Sequence, residues 1–227
     1  MTEEHTREPQ YQRTVELRSQ HDLTQFGLMS NQTWYDDPRR LVFLLSRYKF
    51  VSKMLSGKQN VLEVGCADAF GTRIVRQEIP TITAIDFDPV FVRDAQARMD
   101  PKWEIDCFQH DMLSGPVTKN GPFDAAYSMD VLEHIPPANE HQYITNIAGS
   151  LKEDGVLIVG SPSIQSQPYA SQPSKEGHVN CKDAPGMKAL MEAHFKNVFI
   201  FSMNDEVVHT GFYPMANYLI ALCVSQK

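Results

Sequence analysis

A short run of small residues lies between a predicted strand and a predicted helix, an arrangement that can bind a nucleotide. Residues 61–64 are mostly apolar, which is typical of a buried strand. Gly65 and Gly71 then flank a small-residue turn before the helical pattern that begins at Thr72. Such a turn lets backbone N–H groups approach a ligand closely. We therefore predict the first half of a nucleotide-binding βαβ unit.

An acidic side chain, Asp86, closes the second predicted strand, residues 82–86. It stands 23 residues after Glu63, about where a ribose-binding acid is expected. A carboxylate at this place accepts hydrogen bonds from both ribose hydroxyls and repels a 2′-phosphate. Asp86 is therefore a candidate for binding a nucleoside that carries no 2′-phosphate.

Three stretches of the chain together resemble the class I S-adenosylmethionine-dependent methyltransferases. They are residues 60–71, 84–88 and 124–134, and the last contains the Val-Leu-Glu-His order common in that family. The first stretch departs from the family pattern, because Ala67 and Ala69 replace its second and third glycines. Alanine is tolerated wherever φ stays negative, at the cost of one methyl group facing the ligand.

The resemblance implies S-adenosyl-L-methionine as the methyl donor and S-adenosyl-L-homocysteine as the product. It also implies that the cofactor lies along the carboxyl ends of the first four strands. The cofactor-binding candidates at matching positions are Glu63, Gly65, Cys66, Ala67, Asp86, Phe87, Asp111, Met112, Met129 and Asp130. Phe87 is expected to lie against adenine and Asp111 to bond its amino group.

Three histidines are candidates for a catalytic base, in the order His178, His209 and His134. A neutral oxygen acceptor must lose its proton during methyl transfer, whereas a nitrogen acceptor needs less base catalysis. His178 stands where many related enzymes have an acceptor-side histidine. We expect no metal, because Asp205, Glu206 and His209 have no recognised ligand spacing.

The elements that must position these residues are those of an α/β fold. The resemblance implies a Rossmann-like, doubly wound sheet of seven strands, parallel except for the last, with helices on both faces. A turn is predicted at residues 153–155 and a long polar loop at residues 163–180. The candidate strands are residues 61–64, 82–86, 103–107, 123–128, 156–160, 197–203 and 215–224.

The chain is predicted to comprise an N-terminal strap or lid, residues 1–36, and a single methyltransferase domain, residues 37–227. Asp37 and the following proline predict the start of a helix. Trp34 and Tyr35 in the strap are expected either to pack on the core or to close over the cofactor or acceptor.

Composition limits the partners and the compartment. The 227 residues carry a net charge of −7, which disfavours a large nucleic-acid footprint. Four scattered cysteines indicate reduced thiols. We expect a cytoplasmic protein, because no apolar run reaches membrane-spanning length and no signal peptide is recognisable. A homodimer is compatible with the sequence.

The leading hypothesis is O-methylation of a small polar molecule, a sugar, nucleotide sugar or related hydroxylated metabolite, because the loop at 161–180 is polar. A quinone-type phenol is the nearest alternative, since the Val-Leu-Glu-His motif is shared with such enzymes. A non-catalytic nucleoside-binding scaffold is a third hypothesis, favoured by the two alanines in the loop.

An NAD-dependent oxidoreductase is disfavoured because the glycine fingerprint of dinucleotide-binding proteins is absent. A nucleic-acid methyltransferase is disfavoured because the Asn/Asp-Pro-Pro-Tyr motif is absent after the fourth strand.

Overall fold

Parallel and antiparallel strands share one sheet in the computed structural model, which describes residues 4–227. The strands are β1 (Asn60–Val64), β2 (Thr81–Asp86), β3 (Asp106–Gln109), β4 (Phe123–Met129), β5 (Leu151–Pro162), β6 (Phe195–Asn204), β7 (Val207–His209) and β8 (Tyr218–Gln226). Their order across the sheet is β3-β2-β1-β4-β5-β8-β6-β7. The pairings among β1 to β5 are parallel.

The sheet has eight strands, so the expectation of seven is wrong. β8 lies between β5 and β6 and pairs antiparallel with both, as expected for the last strand. The additional strand is β7, which lies between the last two predicted strands, residues 197–203 and 215–224. It forms because Asn204 and Val207 face each other across a tight turn and the pairing continues to His209 opposite Ser202.

Helices cover both faces of the sheet, as predicted. Their bounds are α1 (Gln12–His21), α2 (Leu28–Asp36), α3 (Pro38–Met54), α4 (Thr72–Arg76), α5 (Pro89–Ala97), α6 (Glu140–Ser150), α7 (Gln172–Gly177) and α8 (Ala184–Glu192). Apolar side chains of α3, α4 and α5 enter one buried cluster, and those of α6 and α8 enter another. Alternate residues of β1 join the two clusters, because successive side chains of a strand point to opposite faces.

The predicted start of α3 is confirmed. The Asp37 carboxylate accepts a hydrogen bond from the Arg39 backbone N–H, and Pro38 occupies the first helical position. Proline is favoured there because its missing N–H would have no partner within the helix. This cap fixes where α3 begins and hence which of its side chains reach the carboxyl edge of the sheet.

Three local expectations differ from the structure. β5 begins at Leu151 and passes through the turn predicted at residues 153–155, where a bulge opposite β4 absorbs the extra residues. β3 begins at Asp106, because Trp103 belongs to a 3-10 turn. The predicted loop at residues 163–180 contains a 3-10 helix (Ile164–Tyr169) and α7. Across residues 4–227, no helix has the length and apolarity needed to cross a bilayer.

Candidate active site

The loop between β1 and α4, residues 65–71, is bent sharply at its first residue. The backbone N–H groups of Gly65 and Cys66 both donate to the carbonyl oxygen of Ile85, which binds the loop to β2. Gly65 has φ +76°, and a Cβ built there would lie 2.2 Å from Cγ2 of Val131. The position therefore requires glycine for its backbone conformation and for its space.

The two alanines of this loop have positive φ, so the condition under which alanine is tolerated there is not met. Ala67 has φ +46° and Ala69 has φ +53°. Left-handed backbone costs a residue with a Cβ about 1 kcal/mol. Gly71 has φ −70° and opens α4, so it does not supply the left-handed conformation that the missing glycines would. It must lack a Cβ because the Tyr48 ring would lie only 2.5 Å from one.

Asp86 lies at the carboxyl end of β2 and is buried. Its Oδ2 accepts from the Ala67 N–H at 2.8 Å, and its Oδ1 accepts from the Asp88 N–H at 2.9 Å. Each carboxylate oxygen can accept a further hydrogen bond. Asp86 thus fixes the small-residue loop and retains the capacity expected of a ribose-binding acid.

Glu63 is enclosed by hydroxyl groups rather than open to a ligand. Its carboxylate accepts hydrogen bonds from Thr72 Oγ1 at 2.6 Å, Tyr127 Oη at 2.7 Å and Tyr48 Oη at 3.0 Å. Burial raises the pKa of Glu63 to about 7, although the three hydroxyl donors oppose the shift. Its contacts join β1, β4, α3 and α4 beneath the loop, so direct contact with the cofactor remains a prediction.

Residues expected near adenine differ in exposure. Phe87 is 71% exposed, so its ring is not part of the core and is free to cover a ligand. Asp111 is exposed and accepts a hydrogen bond from the Leu113 N–H, while Met112 is buried. Cys66 is buried with its Sγ 3.9 Å from Sγ of Cys107.

The sequence analysis missed a half-buried arginine that lies next to the end of β4. Nη1 of Arg47, on α3, donates to both carboxylate oxygens of Asp130 at 2.6 and 2.7 Å. Its guanidinium carbon lies 3.7 Å from the centre of the Tyr218 ring, and its Nε is buried without a hydrogen-bond partner within residues 4–227. The sequence signal that could have identified Arg47 is its position next to the apolar face of α3, which includes Tyr48 and Val51.

The Met129 side chain lies beside this arginine–aspartate pair. Met129 is buried, with Tyr218 Oη 3.8 Å from its sulfur. Gly160, on the neighbouring strand, leaves no space for a Cβ, which would lie 2.5 Å from the same sulfur. Asp130 has φ +58°, and its N–H donates to the Gly160 carbonyl oxygen. The strained backbone turns the Asp130 carboxylate toward Arg47 at the carboxyl edge of the sheet.

The N-terminal strap contacts the small-residue loop directly. The Asp68 carboxylate accepts from the backbone N–H of Ser30 at 2.7 Å, near the start of α2. Phe26 packs on Phe70 of the loop and on Trp34, with ring centres 5.1 and 5.6 Å apart. Tyr35 is 87% exposed and stays outside this packing. The first three residues of the predicted strap lie outside the described part of the chain.

Two of the three candidate bases are brought together with a glutamate. One carboxylate oxygen of Glu133, one ring nitrogen of His134 and one of His178 all lie within 4.8 Å of one another. The rings of the two histidines have centres 5.2 Å apart. We call these three residues the histidine cluster.

Backbone hydrogen bonds hold the two segments of the cluster together. The N–H groups of Val179 and Asn180 both donate to the carbonyl oxygen of Glu133, at 2.8 and 3.0 Å. Nδ1 of His134 lies 2.9 Å from the Gly177 carbonyl oxygen, and Nδ1 of His178 lies 3.0 Å from Oε1 of Gln167. A ring nitrogen facing a carbonyl oxygen must carry the proton, so each neutral ring keeps its lone pair on Nε2.

Burial controls the charge of the cluster. Burial and then the Asp130 charge raise the pKa of Glu133 to about 8. Burial, followed by the nearby His134, lowers the pKa of His178. At neutral pH His178 is therefore largely neutral and its Nε2 can accept a proton.

His209 lies apart from the other two histidines. It is on β7, and β5, β8 and β6 separate that strand from β4. Its Nε2 lies 2.8 Å from Oδ1 of Asn204, and its Nδ1 accepts from the Gly211 N–H. Both ring nitrogens are thereby committed within the turn, so a role as base for His209 is the least supported of the three.

A cavity of about 560 Å³ borders the small-residue loop but does not include Asp86 or the histidine cluster. It is bounded by strap residues 21–25, by α4 and by the end of α5, and it reaches Asp68 and Phe70 of the loop. Its lining contains neither Asp86 nor any residue of the histidine cluster. The cavity therefore adjoins the candidate active site rather than forming it.

The family comparison decides the class of this domain. Residues 61–155 match a family model described as a methyltransferase domain. Residues 61–155 therefore carry the methyltransferase-domain pattern, and the fold around them is that of class I, S-adenosylmethionine-dependent methyltransferases. The matched residues begin in β1 and end within β5, so they include the small-residue loop, Asp86 and Asp130 of this methyltransferase domain.

Curated relatives of the methyltransferase domain match at low identity. The ubiquinone biosynthesis O-methyltransferase of Xanthomonas oryzae pv. oryzae (strain PXO99A) is 28% identical over 147 residues, covering 63% of this chain and 61% of the relative. The protein of the same name from Xanthomonas campestris pv. campestris (strain B100) is 26% identical over 158 residues, covering 67% and 65%. The chain thus spans less than two thirds of the length of these relatives.

Solved structures share the fold of the methyltransferase domain. The N-methyltransferase NodS from Bradyrhizobium japonicum WM9, in complex with S-adenosyl-L-homocysteine, has a TM-score of 0.59 at 21% identity, covering 85% of this chain and 90% of that one. The plantazolicin methyltransferase BpumL, also in complex with this product, has a TM-score of 0.61 at 12% identity, covering 86% and 93%. At such identities the likeness establishes the fold.

The residues of the candidate active site fit S-adenosylmethionine. Asp86 offers oxygen acceptors for a ribose that has no 2′-phosphate. Arg47 and Asp130 present opposite charges side by side at the end of β4. This pairing matches the ammonium and carboxylate groups of the cofactor's amino-acid end.

Proposed function

We propose that this protein transfers a methyl group from S-adenosylmethionine to an oxygen of a small hydroxylated molecule. The observation that carries the proposal is the histidine cluster, which stands immediately after Asp130 at the carboxyl end of β4. The Asp130 charge influences both Glu133 and His178, so the cluster lies within electrostatic range of the expected position of the cofactor's amino-acid end.

The bound cofactor supplies a sulfonium methyl group, whose C–S bond breaks as the acceptor oxygen bonds to carbon and the electron pair stays on sulfur. Asp86, whose carboxylate accepts from the Ala67 N–H of the small-residue loop, would hold the ribose of the bound cofactor. Glu63 keeps that loop in place through Tyr48 and Thr72. Since the leaving group is already good, positioning accounts for much of the rate.

The chain's own contribution at the acceptor is proton removal. Nε2 of His178 or of His134 takes the proton of the acceptor hydroxyl, because Nδ1 of each ring is already bonded to an oxygen. A lowered pKa keeps His178 in the neutral form that can act as base. His178 is the stronger candidate, because it is the more enclosed of the two rings.

A phenol of quinone type is the second acceptor class, beside the sugar or other hydroxylated metabolite expected from the polar loop. It is favoured by the relatives named ubiquinone biosynthesis O-methyltransferase. It is favoured also by exposed apolar side chains on the segments that follow β5 and precede β8, namely Ile164, Tyr169, Phe212 and Met215. These segments meet where the Ser163 N–H donates to the Asn217 carbonyl oxygen.

The test is methyl transfer from cofactor labelled in the methyl group to three acceptor panels: sugars and nucleotide sugars, dihydroxyphenols, and amines. We expect label in an oxygen acceptor, with a rate at least ~100-fold lower in the His134→Ala, His178→Ala double variant. His194→Ala is the matched control, because that residue is a histidine outside the cluster and is not a candidate base. Label only in amines, or equal rates in the double variant and the control, would contradict the proposal.

A further inference from the structure

The histidine cluster has the composition of a metal site. Two imidazole nitrogens and one carboxylate oxygen lie within 4.8 Å of one another, close enough to share a single ion after small side-chain adjustments. We infer that Glu133, His134 and His178 bind a divalent first-row transition cation. This inference extends the proposed function at the same site, but cation binding itself does not depend on methyl transfer.

Both histidines are oriented as metal ligands usually are. Ligating histidines almost always donate their second ring N–H to a carbonyl or carboxylate oxygen, which directs the remaining lone pair at the metal. Nδ1 of His134 has the Gly177 carbonyl oxygen as partner, and Nδ1 of His178 has Oε1 of Gln167. The Gln167 amide is held with its oxygen toward His178, because its Nε2 donates to Ser163 O and Ser166 Oγ.

One carboxylate oxygen of Glu133 has no partner, and a bound cation would provide one. Its side chain is 1% exposed, and its Oε2 has no hydrogen-bond partner among the described residues. A buried carboxylate oxygen without a partner costs free energy, and buried carboxylates are normally paired or coordinate a metal. Arg47, whose charge acts on Glu133, donates its hydrogen bonds to Asp130 and leaves this oxygen without a partner.

The donor set selects the class of cation. Imidazole nitrogens suit zinc, iron, cobalt and nickel, whereas magnesium prefers oxygen ligands and water. Three protein ligands leave coordination positions for another group. The expectation of no metal was based on residues 205–209, and the sequence gives no signal for a site whose ligands come from two segments 44 residues apart.

The cation has a direct use in the proposed reaction. An acceptor hydroxyl bound at an open position would lose its proton to solvent more readily, as metal-bound water does. The resulting oxygen anion then attacks the methyl carbon, and the departing sulfur keeps the electron pair of the C–S bond. With a cation bound, both Nε2 lone pairs are occupied, so the cation replaces the histidines as the means of deprotonation.

A second histidine pair provides an internal control. Nδ1 of His141 lies 3.1 Å from Nε2 of His194, on the part of the molecule formed by α6 and the turn after α8. That pair also offers two imidazoles, but the described residues give it no carboxylate within the same short distances. Substituting His194 therefore tests whether any two neighbouring histidines suffice.

The experiment uses untagged full-length protein freed of metal with a chelator and titrated with Co²⁺, Zn²⁺ and Mg²⁺. Calorimetry gives stoichiometry and affinity, and the visible absorption of Co²⁺ reports its ligands. We expect one Co²⁺ per chain, an affinity at least ~100-fold lower in His178→Ala and in Glu133→Gln, and no change in His194→Ala. Mg²⁺ is expected to bind far more weakly than Zn²⁺.

Binding of S-adenosyl-L-homocysteine and the melting temperature are measured on every variant, so that a misfolded protein is recognised. Equal Co²⁺ affinity in His178→Ala and wild type, loss only in His194→Ala, or no Co²⁺ binding by the folded wild type would each overturn the inference. Methyl transfer in the presence of a chelator separates the two proposals. Transfer at full rate by a metal-free wild type would refute the catalytic use of the cation and leave the proposed function intact.

Discussion

The two halves of the sheet's carboxyl edge are built in different ways. The donor half, made by β1, β2 and the end of β4, joins segments that follow one another in a βα order, such as Ala67 with Asp86. The acceptor half joins Glu133 and His134 to residues 177–180, which are far away in sequence. Donor residues can therefore be recognised from local motifs, whereas acceptor residues become neighbours only through the fold.

Arg47 lies where the two halves meet. It binds Asp130 of the donor half, and its guanidinium stacks on the ring of Tyr218, the first residue of β8. It comes from α3, outside every motif used to identify the cofactor site. Substitutions at this junction and within each half should therefore have separable effects.

The largest effect on stability is expected for Arg47→Ala. Removing the guanidinium leaves Asp130 without its cation in a largely enclosed place, which should lower the free energy of unfolding by about 4 kcal/mol. The matched control is Arg39→Ala, since Arg39 pairs with Asp37 at the exposed start of the same helix. Urea unfolding of both variants tests this, and equal losses would show that Arg47 does not connect the two halves.

A methyl group at the first loop position should disrupt the donor half alone. In Gly65→Ala the new Cβ collides with Val131 and the backbone stays left-handed, so we expect a loss of about 3 kcal/mol. Gly57→Ala is the control, because φ is +91° there and nothing lies within 4 Å of the new Cβ. It should lose only about 1 kcal/mol, and similar losses in denaturant titrations would exclude the collision as the cause.

The pH dependence of stability should report on Glu63. Its pKa rises from 4.5 to about 7 on folding, so the folded state binds the proton more tightly. The associated stability is complete below pH 4.5 and is lost as the pH rises through 7, by roughly 3 kcal/mol. Glu63→Gln should remove this dependence, because the amide stays neutral. Unfolding profiles from pH 4 to 8 that run parallel in the two proteins would contradict the raised pKa.

The smallest effect on stability is expected for a substitution of one of the two loop alanines that have positive φ. Ala69→Gly should raise the free energy of unfolding by up to about 1 kcal/mol, because glycine adopts the observed φ of +53° without strain. Ala189→Gly, at an exposed position within α8, should lower it by about 1 kcal/mol. Thermal unfolding of both variants checks the opposite signs, and a loss in Ala69→Gly would argue against strain in the loop.

The cofactor side of the fold could be predicted because its signals are local. The turn at Gly65, the acid at Asp86 and the cap at Asp37 each depend on a few neighbouring residues. The eighth strand and the long β5 were missed because pairing with β6 and β4 outweighed local turn signals. The positive φ of Ala67 and Ala69 was not predicted, because residue type alone does not reveal strain imposed by the surrounding contacts.

The acceptor side could be predicted only in part. His134 and His178 were named as candidates, but their contact with each other and with the unpartnered Glu133 required the fold. His209 was ranked above His134, since loop composition says nothing about distance across the sheet. Arg47 was missed because a charged residue beside an apolar helical stripe usually faces solvent.

The most direct test of the division between the two halves is calorimetric titration of S-adenosyl-L-homocysteine into wild type, Asp86→Ala and His178→Ala. Asp88→Ala serves as the control, because its carboxylate instead caps α5. We expect binding by wild type, an affinity ~100-fold lower in Asp86→Ala, and affinities within about threefold of wild type in the other two variants. No binding by wild type, or equal losses in Asp86→Ala and His178→Ala, would contradict the assignment of the donor and acceptor halves.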